Sequence, residues 1–104
     1  MSELVLYLTF ETMEEAEKVG AALVKERLVA CVNILPGMRS MFWWEGKVES
    51  ASEVVMIAKT REDLLDSVIP FVKELHSYEV PCIVALPVVD GNPEFLSWIG
   101  EETR

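Results

Sequence analysis

Arg39-Ser40-Met41-Phe42-Trp43-Trp44-Glu45-Gly46-Lys47-Val48-Glu49 reads as two strands meeting at a tight Glu45-Gly46 turn. The strand entering this turn begins upstream, over Val29 to Leu35, and Pro36-Gly37 interrupts it as a bulge or bend. The strand leaving it is completed by Glu53 to Thr60, with an irregular middle expected at Ser50-Ala51-Ser52. The chain is therefore organised around one long hairpin, and the remaining elements fall symmetrically on either side.

Before the hairpin, Leu4 to Phe10 is apolar and aromatic and predicts a strand. Thr12 stands three residues ahead of Glu15, the spacing of a capping box. Ala16, Val19, Gly20, Leu23 and Val24 then repeat at helical spacing, and the helix is expected over Met13 to Leu28. After the hairpin, Thr60 is the expected cap of a second helix, with Asp63 at its third position. Leu64, Leu65, Val68, Phe71, Val72 and Leu75 mark its buried face, and Pro70 should kink or split it. Pro81 to Val89 is an apolar run that predicts a strand buried on both faces. Asp90-Gly91 makes a turn, Asn92 a cap and Pro93 the first residue of a short helix carrying Phe95, Leu96, Trp98 and Ile99.

The order β-α-β-β-α-β plus a terminal helix is that of a split βαβ, ferredoxin-like α+β fold. Right-handed crossovers place both main helices on one face of a four-stranded antiparallel sheet. That leaves the other face open. A hairpin carrying Met41, Phe42, Trp43 and Trp44 is too apolar to stand in water, and long exposed edges are templates for pairing. We expect the hairpins to pair between copies and close a ring of cyclic symmetry.

Length and charge narrow the function. The 104 residues fit one domain, 1–104, with 51% hydrophobic residues available for a core. A net charge of -9 and the lack of a basic run speak against nucleic acid and anionic membranes as partners. No stretch approaches a membrane span, and the N-terminus has no secretory pattern, so a cytosolic setting is expected. Cys31 and Cys82 have no CxxC spacing and are expected as free thiols.

Chemistry concentrates in His76-Ser77-Tyr78-Glu79-Val80-Pro81-Cys82, which holds the only histidine. Neutral imidazole is a common metal ligand, so His76 is a candidate, with Glu79 supplying oxygen. The competing reading is a histidine bonding the last carbonyls of its helix. Cys31 and Cys82 are further candidate metal donors, with a buried core thiol as the alternative for Cys31. No local Ser-His-Asp or Cys-His motif supports catalysis, and no enzymatic activity is expected. No GxGxxG or Walker pattern is present for phosphate.

Several blocks together resemble a known family. They are Ala30-Cys31-Val32-Asn33-Ile34-Leu35-Pro36-Gly37, Trp43-Trp44-Glu45-Gly46-Lys47-Val48-Glu49, Lys59-Thr60 and His76-Ser77-Tyr78-Glu79-Val80-Pro81. Ala85-Leu86-Pro87-Val88, Gly91-Asn92 and Phe95-Leu96-Ser97-Trp98-Ile99 complete the set. In this order they resemble the CutA divalent-cation tolerance proteins over essentially the whole chain. The resemblance implies a homotrimer, a link to copper and other divalent metals such as zinc, and a similarity to PII-type signalling trimers. The metal is not expected to be required for folding. Glu49, Lys59 and Tyr78 match polar positions of the family, and with Trp44 they are candidates for lining an intersubunit cleft. Lys59 and Tyr78 would be placed to hold a small anion there, or to form an ion pair with no ligand. Two positions depart from the pattern. Ser77 replaces a proline, which should loosen the loop, and Cys82 replaces a frequent glutamate, which would favour softer ions.

Overall fold

The computed structural model describes residues 2–104. Its elements are β1 (Glu3–Phe10), α1 (Met13–Lys25), β2 (Cys31–Trp44), β3 (Lys47–Arg61), a 3-10 turn (Glu62–Leu64), α2 (Leu65–Leu75), β4 (Ile83–Pro87) and α3 (Pro93–Glu101). The four strands form one antiparallel sheet in the order β2-β3-β1-β4, the ferredoxin-like arrangement expected. Among the described residues no helix is long and apolar enough to cross a membrane.

Side chains alternate across a strand, so β1 sorts its residues between two environments. Leu4, Leu6, Leu8 and Phe10 face the helices and are buried. Val54, Met56 and Ala58 of β3 join them, with Ala16, Val19 and Leu23 of α1 and Val68 and Val72 of α2 above. Gly20 lets α1 settle low on the sheet. A Cβ there would meet Met56 Cε at 3.0 Å and Val32 Cγ2 at 3.1 Å.

Helix α1 starts where expected, with the Thr12 hydroxyl accepting the Glu15 N–H at 3.1 Å, but the Glu15 carboxylate binds Ser77 rather than closing the capping box. It ends at Lys25, three residues earlier than the periodicity predicts. Arg27 adopts φ 57°, its N–H donates to Val24 O, and the Leu28 N–H donates to Leu23 O. This is a Schellman ending, normally built on glycine, and it satisfies carbonyls that a longer helix would have left for later turns.

The predicted cap at Thr60 is not one. Thr60 remains in β3, opposite Leu4, and its buried hydroxyl donates to Leu28 O at 2.6 Å. Strand pairing holds the residue extended, and the chain enters α2 only after the 3-10 turn. Pro70 does not split α2, which is continuous from Leu65 to Leu75. Pro70 and Asp66, whose carbonyl loses its partner, both belong to the exposed side, so water can take the missing bond. Leu75, expected on the buried face, is exposed.

In the hairpin the bulge expected at Pro36-Gly37 is present, and the irregularity expected at Ser50-Ala51-Ser52 is not. β3 is regular, and β2 carries a bulge between Leu35, opposite Val55, and Met38, opposite Glu53. Gly37 takes φ +81° within it. Beyond this bulge the two strands continue as an arm, and the molecule measures 44 × 25 × 23 Å.

β4 is shorter than the apolar run that encodes it, and only one of its faces is covered. Ile83 and Ala85 pack on the core, while Val84 and Leu86 are about half exposed. The main helices cover a single side of the sheet, and on the other side burial is confined to the neighbourhood of Thr9, Glu53 and Val55. The uncovered side is a lattice of Cys31, Lys59, Val5 and Leu86 in one row and Asn33, Ile57, Tyr7 and Val84 in the next.

Candidate functional site

The loop from His76 to Cys82 links α2 to β4 and lies against the end of β1. His76 caps α2, its N–H donating to Val72 O at 2.9 Å before the backbone turns extended. The imidazole is buried and stacks on Phe10, with ring centroids 4.6 Å apart. Nε2 bonds Thr9 O at 2.7 Å, and Nδ1 accepts the Tyr78 N–H at 3.0 Å. Both ring nitrogens are thus engaged by backbone groups.

Ser77 is tied down. Its N–H donates to Glu15 Oε2 at 2.7 Å and its hydroxyl to Glu15 Oε1 at 3.0 Å. A proline at this position has no N–H for the first of these bonds. The loosening expected from the loss of the ring is countered by the two contacts the serine makes.

The Tyr78 hydroxyl donates to Glu53 Oε2 at 2.7 Å, connecting the loop to β3. The phenol is held well above the ordinary tyrosine value by burial first, then by the bond to Glu53, the charge of Glu53, and the charges of Glu11 and Glu15. A raised value means that the folded state prefers the neutral phenol. Its stabilising effect is full below pH 10 and is lost as pH rises toward the folded value. Stability should therefore decline from about pH 10 upward, the ordinary tyrosine range. Tyr78→Phe should flatten that decline, read as melting temperature against pH. An unchanged alkaline slope would remove Tyr78 as its source.

Cys82 lies beside the same group. Burial first and the charge of Glu53 second push its thiol up, and a bond with the Thr9 side chain works in the other direction. The group is a thiol rather than a thiolate at neutral pH, and metal binding there must remove its proton.

Between this loop and the arm runs an open groove of about 1120 Å³. Glu11, Glu49, Glu53 and Glu79 contribute carboxylates to it, Met38, Met41 and Cys82 contribute sulfur, and Arg39 is its one cationic lining residue among those described. Tyr7, Phe42 and Trp44 add aromatic surface.

Of the expected cleft residues, Tyr78, Glu49 and Trp44 line this groove and Lys59 does not. Lys59 lies six residues from Glu53 along β3, roughly 20 Å at strand spacing, and its ammonium donates to Asn33 Oδ1. One chain therefore forms no joint Lys59–Tyr78 anion site. Of the expected metal donors, Glu79 and Cys82 line the groove. Cys31 stands opposite Lys59 on the uncovered side of the sheet, and His76 has no free lone pair. Among the described residues no three His, Cys, Asp or Glu side chains converge as a metal cluster. Cys31 and His76 lie on opposite sides of the sheet and do not meet within one chain. Glu53 and Thr9 were not singled out in the sequence, and Glu15 was read only as half of a capping box. Glu53 had a readable signal, because it shares the strand parity of Glu49 and so faces the same way.

A four-stranded sheet with one uncovered side, a projecting arm and an acidic groove at its base defines a small ferredoxin-like α+β protein. The chain belongs to the CutA1 divalent ion tolerance protein family, whose profile matches residues 4–102. It is 49% identical over 96 residues to the divalent-cation tolerance protein CutA of Archaeoglobus fulgidus, covering 92% of this chain and 93% of that protein. It is 44% identical over 101 residues to the chloroplastic protein CutA 1 of Oryza sativa, where it covers 97% of this chain and 57% of the relative. The chain thus spans a little over half of that longer protein. The crystal structure of CutA1 from Oryza sativa superposes with a TM-score of 0.97 at 42% identity, covering 100% of this chain and 95% of that one.

Proposed function

We propose that this chain is a non-enzymatic homotrimer that serves divalent-cation tolerance in the cytosol by binding a copper-type or zinc ion in the groove beside its arm. The observation that carries this reading is the arm. It is apolar on both faces, and it walls an acidic groove that one chain leaves open. Met38, Ser40, Phe42 and Trp44 share the parity of the uncovered sheet face, while Met41, Trp43 and Val48 project to the other side. An apolar ribbon exposed on both sides calls for protein on both sides. A neighbouring copy would close the groove, with Glu79 and Cys82 as this chain's donors and the remaining ligands supplied by the neighbour. Carboxylate with thiol suits a borderline ion such as zinc or copper.

Calorimetric titration of the reduced protein with Cu(II) and Zn(II) tests this, alongside Glu79→Gln with Cys82→Ser. Saturable binding at a fixed number of ions per assembly is expected. Loss of two donors should weaken it at least about tenfold, in line with the sensitivity of metal affinity to its ligand set. Non-saturating heats unchanged in the double variant would reduce the effect to general attraction by the acidic surface. The open volume and its aromatic lining favour a second reading, a PII-like signalling trimer with a small organic ligand in the groove. A ligand that raises the melting temperature of the metal-free protein would support it.

A further inference from the structure

His76 is a buried titratable group with no part in the proposed cation site, and its surroundings dictate its protonation state. Thr9 O is a carbonyl and only accepts, so Nε2 must carry a hydrogen. Tyr78 N–H is an amide and only donates, so Nδ1 must present its lone pair. Only the neutral Nε2–H tautomer meets both demands. A second proton, on Nδ1, would set two donors face to face across 3.0 Å. The bond to the Tyr78 amide and the charged ring are mutually exclusive.

The consequence reaches the groove, because Tyr78 is the residue that ties the loop to Glu53. We propose that His76 is an acid-operated latch on the loop 76–82. With the ring neutral, Nδ1 holds the Tyr78 backbone and the phenol reaches Glu53. With the ring charged, the amide is released, the Tyr78–Glu53 contact is lost and the loop moves off the groove wall. Titratable and charged groups surround the loop from every packed element. They are Glu11 after β1, Glu15 on α1, Glu53 on β3 and Cys82 before β4, together with Tyr78 itself. The neutral and the charged ring thus make opposite demands on the Tyr78 amide, and acidification converts the one into the other. The proposal concerns the wall of the groove and stands whether or not a cation binds there.

The test is nuclear magnetic resonance on the isotope-labelled full chain without metal. At pH 7.5 the ring nitrogens should show the Nε2–H pattern. On acidification the hydrogen-exchange protection of the Tyr78 amide, corrected for intrinsic rate, should fall about fivefold to tenfold, the worth of one hydrogen bond. Its curve should coincide with that of the imidazole resonances. His76→Gln keeps a donor for Thr9 O but cannot titrate, and it should abolish the response. The pair Glu15→Gln and Glu53→Gln should retain it. Protection that stays flat through the imidazole titration overturns the latch, as does an equal response in His76→Gln. If His76→Gln does not fold, the coincidence of the two curves in the unaltered chain decides alone.

Discussion

Met41→Asp combined with Trp43→Asp should leave the chain as an 11.7 kDa monomer at micromolar concentration, where the unaltered protein should scatter light as three times that mass. The two side chains are 77% and 74% exposed in the single chain, and Val48, opposite Trp43, is 64% exposed. Such surface is tolerated singly but not as a contiguous strip on a ribbon that is also apolar on its reverse. Full burial of one large apolar side chain is worth about 1.5–3 kcal/mol. Each substitution therefore removes that term and places a carboxylate where charge has to be desolvated. The effect repeats at every contact of a symmetric assembly. The substitutions leave the core untouched, so the monomer should keep its strand and helix content by circular dichroism. An unchanged assembly mass in the variant would show that this side of the arm takes no part in association. A monomeric unaltered chain would overturn the trimer itself.

Phe10→Ala should cost about 3–5 kcal/mol, the usual range for deleting a buried aromatic side chain. Phe10 is fully buried at the end of β1 and carries the His76 ring on its face at 4.6 Å. A small domain has only about 5–15 kcal/mol of stability in all, so the loss is a large fraction of it. For a chain of this size the melting temperature should drop by roughly 15 °C or more, compared at one protein concentration. The vacated space also removes the stacking surface beneath His76, so protection of the Tyr78 amide should fall with it. A loss below about 1 kcal/mol would mean that neighbouring side chains collapse into the gap, which close-packed interiors rarely allow.

Much of the fold was legible because its signals are local. The apolar and aromatic run Leu4 to Phe10 marked β1, Thr12 marked the start of α1, and Asn92-Pro93 marked α3, where the Asn92 side chain accepts the Glu94 N–H at 3.1 Å. Thr60 shows where local signals fail. The same residue type caps helices and fills strands, and its pairing with Leu4 decided between the two. The run behind β4 misled for a related reason. Apolar sequence records that a face is to be covered, and does not record whether the cover lies in the same chain.

The candidate site was legible as a location and not as chemistry. His76, Tyr78, Glu79 and Cys82 marked the loop that borders the groove. That His76 spends both nitrogens on Thr9 and Tyr78 depends on contacts 67 and 2 residues away, and the longer of these has no trace in the local sequence. Glu53 and Glu15 come to the loop from β3 and α1 for the same reason.

By itself, then, the order of apolar periods, caps and turns determined a βαββαβ chain with one long hairpin and more apolar surface than one chain can bury. Those properties are set by neighbours within a few residues. Only the tertiary structure decided which carboxylates meet the loop, which side of the sheet stays uncovered and which tautomer His76 must hold. Each of these depends on the register between strands distant in sequence, where a shift of a single residue would turn every side chain to the opposite face.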